Sequence, residues 1–321
     1  MRNLTSKFLG LLSGALYGLA LRYFFFDELR SPFSFTDLFS VTFVWIVPVI
    51  IGVTPMLFAS NDQLSSKSYR AFTPVFTNLI FFIFCFITRI EDLLCIIIIA
   101  LPFMIGAMVG GLVFGALILT FRERRGIIYS ILLIPFLAGA IEEQFKIPSG
   151  IYEVKNAIII NNNADSIWNN VVRVKEIKGS EYSKGIFNYA GIPRPLYAEL
   201  DKNGIGANRV GHFEGGLTFR ETVNEWEPNK KVSFSIKMVP STIRQTVFDQ
   251  HVLRGKHFKF VGASYELTKI SDNKTLLTLS SSYQLDTRIN YYGSTWGNLL
   301  LSDFQQRLLE VIKNRCENKK K

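Results

Sequence analysis

Three histidines, His212, His251 and His257, are the side chains of this sequence that an enzyme working near neutral pH would use as general acid or base. His212 lies in an alternating stretch in which Gly211 and Phe213 take the opposite face. His251 and His257 lie in the irregular basic segment Gln250–Lys259. None stands at a useful spacing from a carboxylate. The three cysteines, Cys85, Cys95 and Cys316, fit neither a zinc site nor a disulfide framework, so no metal is expected. There is no glycine-rich phosphate loop and no nucleophile motif, and no cofactor is implied. His212, Glu221 and Tyr283 remain as weak catalytic candidates. Arg209 and Glu221 fall on stretches expected to be neighbouring strands. They would pair at the mouth of a cavity; the plainer reading is a surface pair worth a few tenths of a kcal/mol.

The elements that must position these residues follow from periodicity. Alternation predicts strands over Ile151–Asn161, Ala207–Phe213, Leu217–Trp226, Lys231–Met238, Lys259–Ile270 and Thr275–Thr287. Asn163 or Asp165 would cap a helix carrying Ile167, Trp168, Val171 and Val172, and Glu181–Tyr189 reads as a second short helix. The last element, Ser294–Asn318, is a long helix with a stripe of Trp296, Leu299, Leu300, Phe304, Leu308, Val311 and Ile312. An antiparallel sheet with one long helix buries a single sheet face against it, and the space between suits an apolar small molecule. Strand parity gives the liners. Phe234, Ile236 and Met238 share one face, and Tyr265 goes with Val261, Ala263 and Leu267. Leu277, Leu279, Ser281, Tyr283 and Leu285 share another, with Trp296, Leu300 and Phe304 facing them from the helix. A solid core of the same residues fits the pattern equally well.

The first 148 residues are of another kind. Stretches over residues 8–26, 39–59, 71–88, 93–121 and 127–145 have the length and apolarity of membrane spans. The first reads as a signal anchor, with Arg22 placed to snorkel to the interface. Gly10, Gly14 and Gly18 stack on one helix face and would serve packing within the bundle or a homo-oligomer. No ionisable residue falls at the centre of the first four spans, which argues against a transporter or channel. Lys and Arg in the successive segments count two, one, two, one and three, the last being Arg122, Arg124 and Arg125. That places the N-terminus in the cytoplasm. The fifth stretch decides the rest. Its core, Ile127–Ile141, is short and contains Pro135, but it is apolar all round, unlike an interfacial helix. If it spans, the second half of the chain is extracytoplasmic; if it only dips into the bilayer, four spans stand behind a cytoplasmic domain. The second half holds 25 basic and 17 acidic residues, a net of +8. Its basic residues are scattered among acidic ones, with only Lys319–Lys321 as a run, so a solvated surface or an anionic membrane surface is expected rather than nucleic acid.

In the C-terminal half Ile158-x-Ile160 is followed by Ala-Asp-x-Ile-Trp at Ala164–Trp168, then Gly206-Ala-x-Arg209 and Glu221-x-Val223-x-x-Trp226-Glu-Pro228. Gly262-x-x-Tyr265, Tyr283-x-Leu285 and the Trp296–Arg315 helix complete the series over residues 152–317. In these features it resembles the START-like, or SRPBCC, superfamily, which includes polyketide cyclase/dehydrase and lipid-transfer members. The first half, with Glu91-Asp-x-x-Cys95 and a glycine-rich fourth span, resembles the membrane part fused to such domains in bacterial proteins. The resemblance implies a transmembrane bundle over residues 1–148 and an α+β helix-grip domain over 149–321, its curved sheet wrapped around the C-terminal helix. It implies a cavity for a lipid or other hydrophobic molecule, and no single activity. The leading expectation is therefore a binding module anchored in a bacterial cytoplasmic membrane. The alternatives are a cyclase/dehydrase-like enzyme and an assembly protein without ligand.

Overall fold

The computed structural model describes residues 2–25, 39–121 and 129–317, with backbone alone at 2–7 and 24–25. Arg122, Arg124 and Arg125, the first loop with Asp27, Glu28, Arg30 and Asp37, the first two residues of the fifth stretch, and Lys319–Lys321 lie outside the described residues. The chain divides into two units, Met1–Pro148 with Thr287–Ile289, and Ser149–Asp286 with Asn290–Lys321.

The first unit is helical. It comprises α1 (Arg2–Phe25), a π-helical turn at Thr42–Ile46 running into α2 (Val47–Leu57), α3 (Asn61–Ser65), α4 (Lys67–Ile87), α5 (Leu93–Thr120), and a 3-10 turn at Ser130–Leu133 leading into α6 (Ile134–Glu142). Ser60 and Gln63 form a reciprocal capping box at the start of α3. The glycine face of α1 is occupied within the chain, which corrects its use for a homo-oligomer. A Cβ on Gly10 would lie 3.2 Å from the Pro55 backbone, one on Gly14 2.8 Å from the Ile51 carbonyl, and one on Gly18 2.4 Å from the Ile51 side chain. The glycines of α5 do the same work. A Cβ on Gly111 would stand 2.2 Å from the Arg70 carbonyl oxygen, so no side chain fits unless the helices separate.

Arg22 does not snorkel. It is fully buried and donates from Nε to Glu91 Oε1 at 2.6 Å, with the guanidinium 5.0 Å above the Phe43 ring. Glu91 is only 1% exposed and is held there by its pairing with Arg22.

The Ser130–Glu142 segment runs from one end of α2 to the other. Ile131 packs on the cluster of Val53, Met56 and Ile118, and Tyr17 donates to the Leu132 carbonyl. At the far end Glu142 accepts the backbone N–H groups of Val41 at 2.7 Å and Thr42 at 2.8 Å. A buried carboxylate on the unsatisfied N–H groups of a helix start is favoured by both hydrogen bonding and the helix dipole.

The second unit is a helix-grip arrangement. Its elements are β1 (Ser149–Ile160), α7 (Ala164–Val172), α8 (Ile186–Tyr189), β2 (Pro195–Leu200), β3 (Asn208–Phe213), β4 (Thr218–Glu227), β5 (Lys231–Met238), β6 (Phe258–Ser271), β7 (Lys274–Asp286) and α9 (Asn290–Glu317). All seven strands are antiparallel neighbours in the order β1-β7-β6-β5-β4-β3-β2, and the sheet curls on α9. Asn163 caps α7 through Ser166 N–H at 3.0 Å.

Four expectations need correction. The helix expected over Glu181–Tyr189 is the single turn Ile186–Tyr189, because Glu181 turns instead to Arg315 of α9 at 2.8 Å. The segment Pro195–Leu200, absent from the strands expected from alternation, is an edge strand, where a proline at the first position costs no ladder bond. A β-bulge between Phe260 and Gly262 reverses the pleat, so Val261 is 40% exposed and Phe260 takes the place expected of it. On α9, Leu299 is half exposed and Gln305 is fully buried. Gln305 donates to the Val154 carbonyl and Ser281 Oγ and accepts from Asn156, so every polar atom it buries is paired.

The C-terminal end of α9 is latched by Arg315, which makes a two-pronged pair with Glu181 and also donates to the Lys175 and Glu176 carbonyls. The Arg315 hydrogen bonds hold the Glu181 carboxyl down at about 2. A carboxylate with a lowered folded value stabilises above its unfolded value, near 4.3, and loses that contribution as pH falls toward the folded one. The melting-temperature gap between the parent chain and Glu181→Gln is therefore expected to be full at pH 6 and to close between about pH 4.5 and 2. A gap that does not change with pH would assign the latch to the carbonyl contacts alone.

Candidate functional site

The inner face of the sheet is packed unequally along its strands. At one end Ile160, Val232, Leu267, Leu277, Leu308 and Ile312 form a closed core, with Trp168 edge-on to Trp226 at 5.1 Å. Each such fully buried aliphatic side chain contributes on the order of 2 kcal/mol. At the other end, where β1 begins and β3 and β5 finish, the inward residues Phe213, Ile236, Met238, Phe258 and Phe260 are only partly covered, although Phe219, Tyr283 and Leu285 among them are buried. Trp296, Leu300 and Phe304, four apart on α9, are partly covered as well.

This half-covered end carries a belt of aromatic rings. Tyr152 of β1 stacks on Tyr283 of β7 at 5.6 Å, and Tyr283 on Phe258 at 5.5 Å. Phe258 meets Phe260 at 4.9 Å, Phe260 meets Phe219 of β4 at 5.2 Å, and Phe219 meets Phe213 of β3 at 5.2 Å. Phe213 returns the belt to the helix at Phe304, 6.0 Å away. Most of these contacts are edge-to-face or offset, the arrangements that ring quadrupoles favour. Strand parity points to Tyr283 and the helix stripe to Phe304, but neither reaches Tyr152, Phe213, Phe219, Phe258 or Phe260. The signal for the last two was present as Phe258-Lys-Phe260, but the bulge that follows hid their direction.

The other proposed liners separate into two sets. Phe234, Tyr265, Leu277 and Leu279 are core residues, buried at the closed end or the middle of the sheet. Ile236, Met238, Trp296 and Leu300 sit at the half-covered end, and Phe304 stands at the boundary, packed on the core and also meeting Phe213. Tyr283 is fully buried. Its hydroxyl donates toward the Ser294 carbonyl and Asn298 Oδ1, and burial pushes it up to about 12. Gly297 lies flat on its ring: a Cβ there would be 2.6 Å from the hydroxyl oxygen.

Arg209 and Glu221 are direct cross-strand partners on the inner face, and the reading as a surface pair is corrected. Arg209 is 5% and Glu221 9% exposed. The Arg209 Nη1–H donates to Glu221 Oε2, Nε donates to the Val172 carbonyl at 3.1 Å, and Nη2 to the Val171 carbonyl at 3.3 Å. One guanidinium thus terminates α7, neutralises a carboxylate and lies 5.1 Å from the centre of the Phe234 ring. The pair survives burial because the cation satisfies its hydrogen bonds on three sides. Tyr265 lies against the same pair, and burial raises its hydroxyl to about 12. The second carboxylate oxygen, Glu221 Oε1, lies 3.4 Å from where a Gly211 Cβ would be. Gly211 therefore leaves room beside an acceptor on the inner face.

The three catalytic candidates are not brought together. His212 points to the outer face, stacked on Tyr197 at 4.3 Å with Nε2 3.9 Å from the exposed Glu199. Glu221 is committed to Arg209. Tyr283 lies on β7, with β6 and β5 between it and β4. His257 Nδ1 lies 2.9 Å from the Asp286 carbonyl.

No family model matches the chain, and no curated protein matches it. Solved structures do resemble its C-terminal half. A START superfamily protein from Mycobacterium smegmatis is 12% identical over 53% of this chain and 99% of its own, with a TM-score of 0.36. The Zhui aromatase/cyclase from a Streptomyces species is 12% identical over 54% and 97%, with a TM-score of 0.34. A truncated norcoclaurine synthase from Thalictrum flavum is 10% identical over 53% and 96%, with a TM-score of 0.33.

Proposed function

We propose that the chain is a membrane-anchored binding module that holds a lipid or other apolar small molecule between the sheet and α9. The observation that carries this is the unequal packing of one inner face. A domain that needed only a core would close both ends, since each half-covered aromatic or aliphatic side chain forgoes burial free energy. The aromatic belt offers flat apolar walls, and Glu221 Oε1 beside Gly211 offers an acceptor to a ligand hydroxyl. Because Arg209 already balances the Glu221 charge, a neutral hydroxyl suits the acceptor better than a cation.

The membrane half of the reading is supported by the helices themselves. The apolar windows of α4 and α5 are only 33% and 44% buried. Phe72, Phe76, Ile83 and Phe86 on α4 and Leu101, Ile105, Val109 and Val113 on α5 are exposed. Core helices of a water-soluble protein would cover such residues; lipid-facing helices leave them out. Outside the cytoplasmic membrane of a bacterium is the location this reading favours for the second unit.

Native mass spectrometry of the full chain, released from nanodiscs made with a bacterial lipid extract, tests the cavity. The expected result is a bound small molecule whose occupancy falls about ten-fold, equivalent to 1.4 kcal/mol, when Ile236→Trp and Leu300→Trp fill the open end. A parent chain that is empty in every lipid mixture would end the binding proposal.

A further inference from the structure

We infer that the half-covered end of the second unit is a docking surface for an anionic lipid bilayer, with Ile186, Tyr189 and Tyr291 as its apolar anchors. The inference rests on the membrane-anchored reading and adds which surface meets the lipid. Ile186 and Tyr189 belong to the one-turn helix α8 and are 70% and 76% exposed, and Tyr291, at the start of α9, is 89% exposed. All three belong to connections at the strand ends where the aromatic belt is least covered: α8 precedes the start of β2, and α9 follows the end of β7. Large exposed aromatics and aliphatics are costly in water, and tyrosine is suited to the headgroup level of a bilayer.

The charge of the adjoining segment selects the lipid. Residues 237–259, which link β5 to β6 at the same end, carry Lys237, Arg244, Arg254, Lys256 and Lys259 against the single acid Asp249. That acid is spent on Arg244, which grips it through two bonds of 2.7 and 2.9 Å. The same Arg244 donates to the Gly191 carbonyl at 2.9 Å, so the basic segment is tied directly to the loop that follows α8. Arg254 and Lys256 are exposed, and the Lys259 side chain is 62% exposed with its Nζ 3.9 Å from Asp286 at the end of β7. Apolar anchors beside a basic segment match a surface of anionic headgroups over acyl chains. A nucleic acid would use the charge but not Ile186, and a neutral bilayer would use Ile186 but not the charge. A ligand entering or leaving the cavity at this end would then pass between lipid and protein without crossing bulk water.

The test uses the full chain in nanodiscs, either of phosphatidylcholine alone or with phosphatidylglycerol added. Cys85, Cys95 and Cys316 are all buried, so a nitroxide at Tyr189→Cys or Tyr291→Cys is the labelled position. Asp272→Cys, in the turn at the opposite end of the sheet, is the control. With phosphatidylglycerol, labels at 189 and 291 should gain accessibility to oxygen and lose it to a water-soluble nickel chelate, while 272 stays aqueous. Each basic residue near an anionic surface is worth about five-fold in affinity. The triple reversal Arg254→Glu, Lys256→Glu and Lys259→Glu should therefore abolish the change, as should high salt. Aqueous labels at both 189 and 291 in phosphatidylglycerol discs would overturn the docking surface and leave the anchored module standing. A chain that does not enter the discs would remove the membrane reading itself.

Discussion

Replacing Glu221 by alanine is expected to destabilise the second unit by about 3–5 kcal/mol, the cost of leaving a buried cation without its counter-charge. Arg209 cannot withdraw to solvent, because its Nε and Nη2 groups are engaged by the last carbonyls of α7 and its face is covered by Phe234. The double change Arg209→Met with Glu221→Leu should recover most of that loss, since a buried pair replaced by well-packed apolar side chains is often neutral or better. Arg209→Met alone should also be severe: it leaves Glu221 buried and uncompensated and frees the carbonyls of Val171 and Val172. Hydrogen exchange of the β3 and β4 amides in the full chain reads the effect where it occurs and does not require the whole protein to melt as one unit. A single Glu221→Ala cost below about 1 kcal/mol, the range of exposed pairs, would mean that water reaches Arg209.

The Arg209–Glu221 pair also marks how far residue patterns reach. Alternation put the two on neighbouring strands with their side chains on one face, and the register pairs them directly. What it could not supply was burial, because the cover comes from α7 and Phe234, distant in sequence. The same limit explains Arg22. A basic residue near the end of an apolar run snorkels when water lies beyond it, and only the turn after α4 brings Glu91 to it instead. The glycines of α1 were legible as a close-packing face, but the partner was not, and the partner proved to be this chain's own α2 and α4. Along the strands a single bulge after Phe260 was enough to invert the parity of everything before it on β6. The long C-terminal helix was legible from its heptad-like stripe, whereas its buried centre, Gln305, was not, since a glutamine reads as surface until Asn156, Ser281 and the Val154 carbonyl surround it.

A reporter fused after residue 321 is expected to read extracytoplasmic: an enzyme that folds only outside should be active there, and a fluorophore that matures only inside should be dark. The expectation comes from the path of Ser130–Glu142. In the first unit α1 lies against α2 with Gly10 beside Pro55 and Arg22 beside Phe43, so the start of α1 shares an end with the finish of α2. Arg70, which approaches Gly115, belongs to that end too. Lys67, Arg70 and the start of α1 therefore gather at one end, which on the membrane-anchored reading would be the cytoplasmic one. Ile131 begins at this end, against Met56 and Ile118, and Glu142 finishes at the other, on the N–H groups of Val41 and Thr42. At 1.5 Å per residue, this helix is about 20 Å long, shorter than the roughly 30 Å of a bilayer core. The mismatch is eased because α2 with its π-helical turn is also short, at Thr42–Leu57, and short spans thin the bilayer locally at modest cost. On the same reading Glu142 would fix the crossing, since its carboxylate would be an unpaired charge anywhere along the apolar length of α2. Glu142→Leu should therefore leave a mixed population of orientations, with reporter activity at 321 reduced severalfold. A parent fusion that reads uniformly cytoplasmic would mean that this segment returns to the side from which it started, and the second unit would then meet the inner leaflet.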